Sequence, residues 1–355
     1  MKEQSASRRE FLKMLTLGAS AIGVTAQFGP DMLSRLEGLG RVGEPNYELR
    51  QPDSLVFGMA PDRNDLSLLR PACSSIVNIF EDGLESSWGL ACLGQILEMG
   101  KLPMLSFTPQ GFNGEFLLSK TMMFEDSLVK RAKDFANLPG PVLLRPFYEM
   151  NGNWFAHGAK INTAEDFVGS WRYLVGLFRH YAPNVKFVFS PNVTVGAAAI
   201  APYYPGDEWV DIVGLDGYNK HRVNLIDAEH LLEPRHFNPN FSFKQLFGPD
   251  FKELQRLTKG KKPMIIAEVG TALENPYFWF REGLESLRNW PVKAAVLFSW
   301  RKDEPLTKNE ANWDNPEIFQ AIEAFSKTTN FVASPTSPEA ILEIIFKSAP
   351  NNAQS

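Results

Sequence analysis

LLRPFYEMNGNWFAHG, residues 143–158, changes chemistry abruptly: Leu143 and Leu144 lead through Arg145-Pro146-Phe147-Tyr148 to one carboxylate, Glu149, and then to Asn, Gly and aromatic residues. A short apolar run bounded by turn residues reads as a strand buried on both faces. PVLLRPFYE (141–149) is one of eight such runs, with SLVFGMA (54–60), SSIVNIF (74–80), LPMLSF (102–107), VKFVFSP (185–191), VDIVGLDGY (210–218), KPMIIAEVG (262–270) and VKAAVLFSW (292–300). Amphipathic segments such as Trp88–Met99, Glu165–Tyr181 and Phe278–Asn289 lie between them. Strands alternating with helices make parallel sheets, and eight βα units in about 250 residues close into a barrel. The expected fold class is therefore α/β, a (β/α)8 TIM barrel forming one domain over 54–325. An open doubly wound sheet would carry a glycine-rich phosphate loop after its first strand, and Gly58-Met59-Ala60-Pro61 is not one.

The flanks read differently. Ser7-Arg8-Arg9-Glu10-Phe11-Leu12-Lys13 is a twin-arginine export motif, followed by an apolar stretch from Met14 to Ala26 that ends in small residues. Residues 1–26 are expected to be a signal peptide, cleaved or kept as an anchor, and the protein is expected to be exported to the periplasm or beyond by the twin-arginine machinery. Residues 27–53 form an N-terminal lead, and 326–355 a Ser/Thr/Pro-rich connector, a short helix over Ala340–Lys347 and a disordered tail. Without residues 1–26 the balance is 32 basic to 39 acidic side chains, a net −7. Such a surface has no electrostatic reason to hold nucleic acid. Cys73 and Cys92 are the sole cysteines, too few for a disulfide framework; they are either one pair or two buried thiols. No cofactor motif or metal-ligand spacing occurs.

Barrel active sites collect at the carboxyl ends of the strands. Strand four ends at Glu149, strand six at Asp216 and Tyr218, strand seven at Glu268 and strand eight at Trp300. Side chains alternate along a strand, so Arg145, Phe147 and Glu149 are expected on one face, as are Met264, Ile266 and Glu268. Two carboxylates across one mouth are what glycoside hydrolysis needs: one protonates the leaving oxygen and the other attacks or activates water. Trp154, Trp300 and Tyr218 offer ring faces on which sugars stack. The plainer alternatives are that Glu149 pairs with Arg145 as a structural ion pair, that the tryptophans pack, and that Asp216 braces a loop.

RPFYEMNGNW (145–154) resembles the acid-bearing segment of glycoside hydrolase family 26, roughly R-P-x-H-E-M-N-G-x-W. PMIIAEVG (263–270) resembles that family's nucleophile segment, and DIVGLDGY (211–218) and LFSWR (297–301) resemble its sixth and eighth strands. The resemblance implies a retaining β-glycosidase with Glu149 as general acid/base and Glu268 as nucleophile. It implies Arg145 as a buried partner shaping the local charge, Tyr218 as the nucleophile's tyrosine, Trp154 and Trp300 as sugar-contacting rings, and Arg301 as a substrate-contacting arginine. It implies a carboxyl separation of about 5–5.5 Å. Tyr148 stands where the family has His; a phenol hydrogen-bonds but carries no positive charge, which bears on substrate choice. The long segment Asn219–Phe247, with His221, His230 and His236, is expected to overhang the mouth. The expected partner is a polysaccharide, β-mannan first and β-1,3/1,4-glucan or xylan next, acted on by a monomer without a cofactor. The rival from another class is a non-catalytic polysaccharide-binding or assembly protein on a degenerate barrel.

Overall fold

The computed structural model describes residues 54–83, 88–108, 121–219, 241–271, 276–299, 316–328, 333 and 335–347. The expected signal segment 1–26, the lead 27–53, the histidines His221, His230 and His236, the expected site residues Trp300 and Arg301, and the tail beyond 347 lie outside the described residues.

The strands are β1 (Val56–Pro61), β2 (Ile76–Asp82), β3 (Leu102–Thr108), β4 (Val142–Pro146), β5 (Val185–Phe189), β6 (Ile212–Val213), β7 (Asp216–Asn219), β8 (Met264–Thr271) and β9 (Val292–Ser299). They run in the order β6-β5-β4-β3-β2-β1-β9-β8-β7, and β6 also pairs with β8, so the sheet closes on itself. Every strand pairing among the described residues is parallel. β6 and β7 are two parts of the expected sixth strand, interrupted at Gly214-Leu215, so the barrel has eight strand positions. Around it stand α1 (Trp88–Glu98), α2 (Glu125–Ala136), α3 (Ala164–Tyr181), α4 (Phe243–Thr258), α5 (Pro276–Asn289) and α6 (Pro316–Thr328).

Alternation along apolar strands builds two cores. Val56, Ile76, Met104, Leu143, Val188, Ile212, Ile265 and Val296 fill the barrel. Phe57, Ile79, Leu105, Leu144, Phe187 and Ile266 face outward, in one cluster with helix residues such as Phe135, Trp171, Phe178 and Leu254. The interior is tight enough that a Cβ on Gly58 would lie 2.8 Å from the Ile76 Cβ. Cys73 and Cys92 are free and buried, so the pairing alternative is not realised, and burial pushes their thiols up to about 12 and about 11.

Two boundaries differ from expectation. The segment after β7 ends at Ser242, where a reciprocal capping box with Gln245 starts α4; residues 243–247 are helix rather than overhanging loop. The other change lies after β4, which stops at Pro146 rather than reaching Glu149.

A last helix, α7 (Pro338–Phe346), starts on the Ser337 hydroxyl, which accepts the Ala340 N–H at 3.2 Å. Its Ile341 and Ile345 are fully buried and belong to the interior cluster with Val56, Ile76 and Leu102, the first residues of their strands. α7 therefore closes the amino-terminal end of the barrel, opposite the mouth. Removing a buried isoleucine side chain forfeits transfer energy and leaves a cavity. Ile345→Ala is expected to cost about 2–5 kcal/mol in urea unfolding, whereas Glu343→Ala on the exposed face should stay within about 0.5 kcal/mol. Equal midpoints for the two variants would remove α7 from the core.

Candidate active site

One guanidinium organises the floor of the mouth. Arg145, on β4, is fully buried. Its Nη1 donates to both Asp216 oxygens at 2.9 Å, its Nε donates to the Ser106 hydroxyl at 2.9 Å, and its Nη2 donates to Glu268 Oε1. The Ser106 hydroxyl in turn donates to Asn78 Oδ1 at 2.6 Å, and the Ser190 hydroxyl donates to Asp216 Oδ1 at 2.8 Å. Strand register brings the carboxylates together, since Asp216 on β7 pairs with Glu268 on β8. The expected alternative, Arg145 as a simple partner of Glu149, misplaces its principal bonds: its two ion pairs are with Asp216 and Glu268. Burial pushes the Asp216 carboxyl up, and the guanidinium beside it pulls the other way. Asp216 braces Arg145 rather than a loop. Deleting one member of such a buried set strands the others and costs about 3–5 kcal/mol.

Glu268 reaches this floor through a break in alternation. Ile265 and Ala267 face the barrel interior, while Met264, Ile266 and Val269 belong to the outer cluster. Strict alternation would thus turn Glu268 outward with Ile266, contrary to the expectation that this face is the inner one. The register of β8 against β9 shifts between Ile266 and Val269, which lets Ala267 and Glu268 both face inward. There Glu268 Oε2 accepts the Tyr218 hydroxyl, so both carboxylate oxygens are held.

Glu149 arrives by a different irregularity. After Pro146 the chain enters a turn in which Phe147 (φ 50°) and Glu149 (φ 53°) are left-handed. The expected common face of Arg145, Phe147 and Glu149 is therefore broken. Phe147 swings into the outer core, its ring centroid 6.3 Å from that of Phe167 on α3. Tyr148 takes the inward place, with Arg145 Cζ 4.7 Å from its ring centroid and Phe80 edge-on at 5.7 Å. The Glu149 carboxylate accepts Trp154 Nε1–H at 2.6 Å and Asn192 Nδ2–H at 2.5 Å. Gly152 makes room for that indole: a Cβ there would lie 2.4 Å from the Trp154 ring. Trp154 itself is 46% exposed, a ring face open to solvent beside the carboxylate.

Several contributors were invisible in the sequence. Asn192 follows β5 and is held by Asn151, whose Oδ1 accepts the Asn192 N–H and whose Nδ2 donates to the Asn192 carbonyl, both at 2.8 Å. Nothing in the Asn-Gly after Glu149 disclosed that Asn151 clamps the next strand's loop. Burial pushes the Tyr148 phenol up, Arg145 pulls it down, the charge of Asp82 at the end of β2 adds to the rise and Thr108 at the end of β3 opposes it, so the phenol stays neutral. Ser106, Ser190 and Asn78 carry no motif of their own. Among the described residues no group of three His, Cys, Asp or Glu side chains is arranged to hold a metal ion.

His157 is 1% exposed, stacked on Phe155 (11°, 5.1 Å) and near the rings of Phe147 and Tyr148. Burial lowers its imidazole from 6.5 to about 4. In the unfolded chain this histidine takes up its proton first, so the folded state is favoured fully above pH 6.5 and loses that advantage as pH falls toward 4. The loss amounts to about 3 kcal/mol at the low end. His157→Gln, which does not titrate, should show a shallower fall in melting temperature than wild type over this window. Parallel curves would contradict a neutral buried imidazole.

The family model described as Glycosyl hydrolase family 26 matches residues 115–237, a span that includes Glu149, Trp154 and Tyr218 and ends before Glu268. Endoglucanase H of Acetivibrio thermocellus is 29% identical over 228 residues, 61% of this chain and 24% of that protein. Mannan endo-1,4-beta-mannosidase A and B of Caldalkalibacillus mannanilyticus is 34% identical over 198 residues, 53% of this chain and 33% of that protein. The chain thus spans a third or less of the length of these two curated relatives. Among solved structures, the catalytic domain of an endo-β-1,4-mannanase of the same family from Bacillus sp. JAMB-750 superposes with a TM-score of 0.57 at 19% identity, covering 84% of this chain and 91% of that one, a likeness of fold. The strand-four segment and the match to the family model make this chain similar to glycosyl hydrolase family 26 over residues 115–237, and the closed barrel is the fold of the solved structure it superposes on.

Proposed function

We propose that the protein is a retaining glycoside hydrolase that cleaves a β-linked polysaccharide by double displacement, with β-mannan the leading substrate and β-1,3/1,4-glucan or xylan behind it. The observation that carries this reading is the unequal setting of two glutamates in one mouth. Glu268 is gripped on both oxygens by Arg145 and Tyr218, as a nucleophile that must stay in place requires. Glu149 is held by neutral donors, Trp154 and Asn192; the nearby Tyr218 phenol is pushed up first by burial and then by the charge of Glu149. In the proposed cycle Glu149 protonates the leaving oxygen while Glu268 attacks the anomeric carbon; Glu149 then takes a proton from water, which releases the sugar from Glu268. The exposed Trp154 ring supplies a stacking platform, and Tyr148 binds sugar hydroxyls as a neutral donor and acceptor. The name of one relative, mannan endo-1,4-beta-mannosidase, supports a β-1,4-linked mannan backbone, and that of the other, endoglucanase, keeps a glucan as the next choice.

Purified protein would be assayed on mannan, mixed-linkage glucan and xylan beside Glu149→Ala and Glu268→Ala. Each variant should lose about 10²–10⁴-fold in kcat on the glycan that wild type cleaves. Proton NMR of the first product should show the β anomer. An initial α product would sink the retaining mechanism, and wild-type rates in both variants would leave a non-catalytic polysaccharide-binding barrel as the better account.

We also infer that Arg8-Arg9 directs export through the twin-arginine pathway, on the strength of the motif and the apolar stretch behind it. Replacing both arginines by lysine should hold the protein in the cytoplasm on cell fractionation. Unchanged export would refute the assignment.

A further inference from the structure

The turn that presents Glu149 is strained, and something must hold it. Phe147 and Glu149 are both left-handed without being glycine, which costs about 1–2 kcal/mol each. Such backbone persists where its surroundings over-determine it. Here they do: the Phe147 N–H donates to the Phe107 carbonyl at 3.0 Å, the Glu149 N–H to the Ser190 carbonyl at 2.8 Å, and the Gly152 N–H to the Glu149 carbonyl at 2.9 Å. Those bonds pin the turn on either side. The carbonyl between the two left-handed residues belongs to Tyr148, and its side-chain partner is His157 Nε2, at 2.8 Å.

The chemistry of that contact is unambiguous. A carbonyl accepts, so Nε2 carries the proton and Nδ1 is left with a lone pair. Nδ1 is buried and has no hydrogen-bond partner among the described residues. The imidazole is instead enclosed by Phe155, Phe147 and Tyr148. A buried polar atom without a partner is costly, and an apolar ring would fill the same space without that cost. What an apolar ring cannot supply is the Nε2–H donor. The same ring that donates to the Tyr148 carbonyl also packs on Phe147, the residue whose left-handed turn moves it out of the barrel.

We propose that His157 is a positioning residue for Glu149: through the Nε2–H bond to the Tyr148 carbonyl and its ring contacts it holds the strained turn in the one conformation that aims the carboxylate at the leaving oxygen. It touches no substrate, and its effect passes through the backbone of Tyr148. The proposal rests on Glu149 being the general acid/base. Its consequence is specific to the step that needs a proton donor. A glycan is a poor leaving group and depends on the aimed acid, whereas a dinitrophenolate departs without protonation. Misaiming Glu149 should therefore slow glycan cleavage and spare the first, bond-breaking step on an activated aryl glycoside.

The test compares wild type, His157→Leu, His157→Gln and Glu149→Ala on the preferred glycan and on the matching dinitrophenyl glycoside, reading the first step from the dinitrophenolate burst. Gln places its amide N–H where Nε2 stands and can restore the bond. His157→Leu is expected to lower kcat on glycan by about tenfold or more with KM within about twofold, and to keep the burst rate within about threefold. His157→Gln should recover at least about a third of the wild-type kcat, since it regains the donor. The proposal is overturned if His157→Leu cleaves glycan at the wild-type rate, if it loses both substrates equally, or if Gln rescues no better than Leu. Should Glu149→Ala keep full activity, or wild type cleave no glycan, the glycosidase reading falls and this inference with it. Loss of activity in Glu149→Ala together with a fully active His157→Leu overturns the inference alone.

Discussion

A buried guanidinium cannot stand alone in a barrel interior, and the mouth of this barrel is arranged around that constraint. Arg145 reaches from β4 to β3 through Ser106, to β7 through Asp216 and to β8 through Glu268. Taking such a charge out of water is repaid only when its donors are spent on well-placed acceptors. Ser106 lies beside Arg145 on the neighbouring strand β3, whereas Asp216 and Glu268 come from strands distant in sequence that reach it because the sheet closes. The ion cluster and the barrel thus depend on each other: closure creates the cage, and the cage ties together the strands that carry the proposed nucleophile and its support.

Around this fixed centre the two glutamates are aimed by departures from regular strand geometry. A register shift in β8 turns Glu268 inward, and a turn with two left-handed residues lifts Glu149 off the end of β4. Strain and irregularity collect at functional sites because the ordinary pleat rarely points a side chain where chemistry needs it. Each departure is then fastened by neighbours. Arg145 and Tyr218 hold Glu268, while Trp154, Asn192 and, one step removed, His157 hold Glu149 and its turn. At the opposite end α7 packs Ile341 and Ile345 under the barrel, so the chemistry sits on a scaffold closed from below.

Much of this was legible in the residues. Eight apolar runs of strand length, separated by amphipathic segments, specified the barrel, and the acids at the ends of the fourth and seventh runs specified where to look. The aromatic Trp154 after Glu149 marked a ring face on which a sugar could stack. What the residues did not disclose was orientation. Alternation put Phe147 on the inner face with Arg145, and it lies in the outer core; alternation put Glu268 with Ile266, and the two part company. Asn192, Ser190 and Ser106 carried no pattern, since a single polar residue at a strand end reads as solvent-facing until its neighbours are known.

The sequence by itself determined the number and kind of strands, the identity of the two glutamates and the arginine beneath them, and the family likeness, because apolar periodicity and residue chemistry are local properties. The tertiary structure alone decided which way each of those side chains faces and what grips it. Facing is set by sheet closure, by the register between strands far apart in the chain and by the packing that sustains two left-handed residues, and none of these is a property of any one stretch of residues.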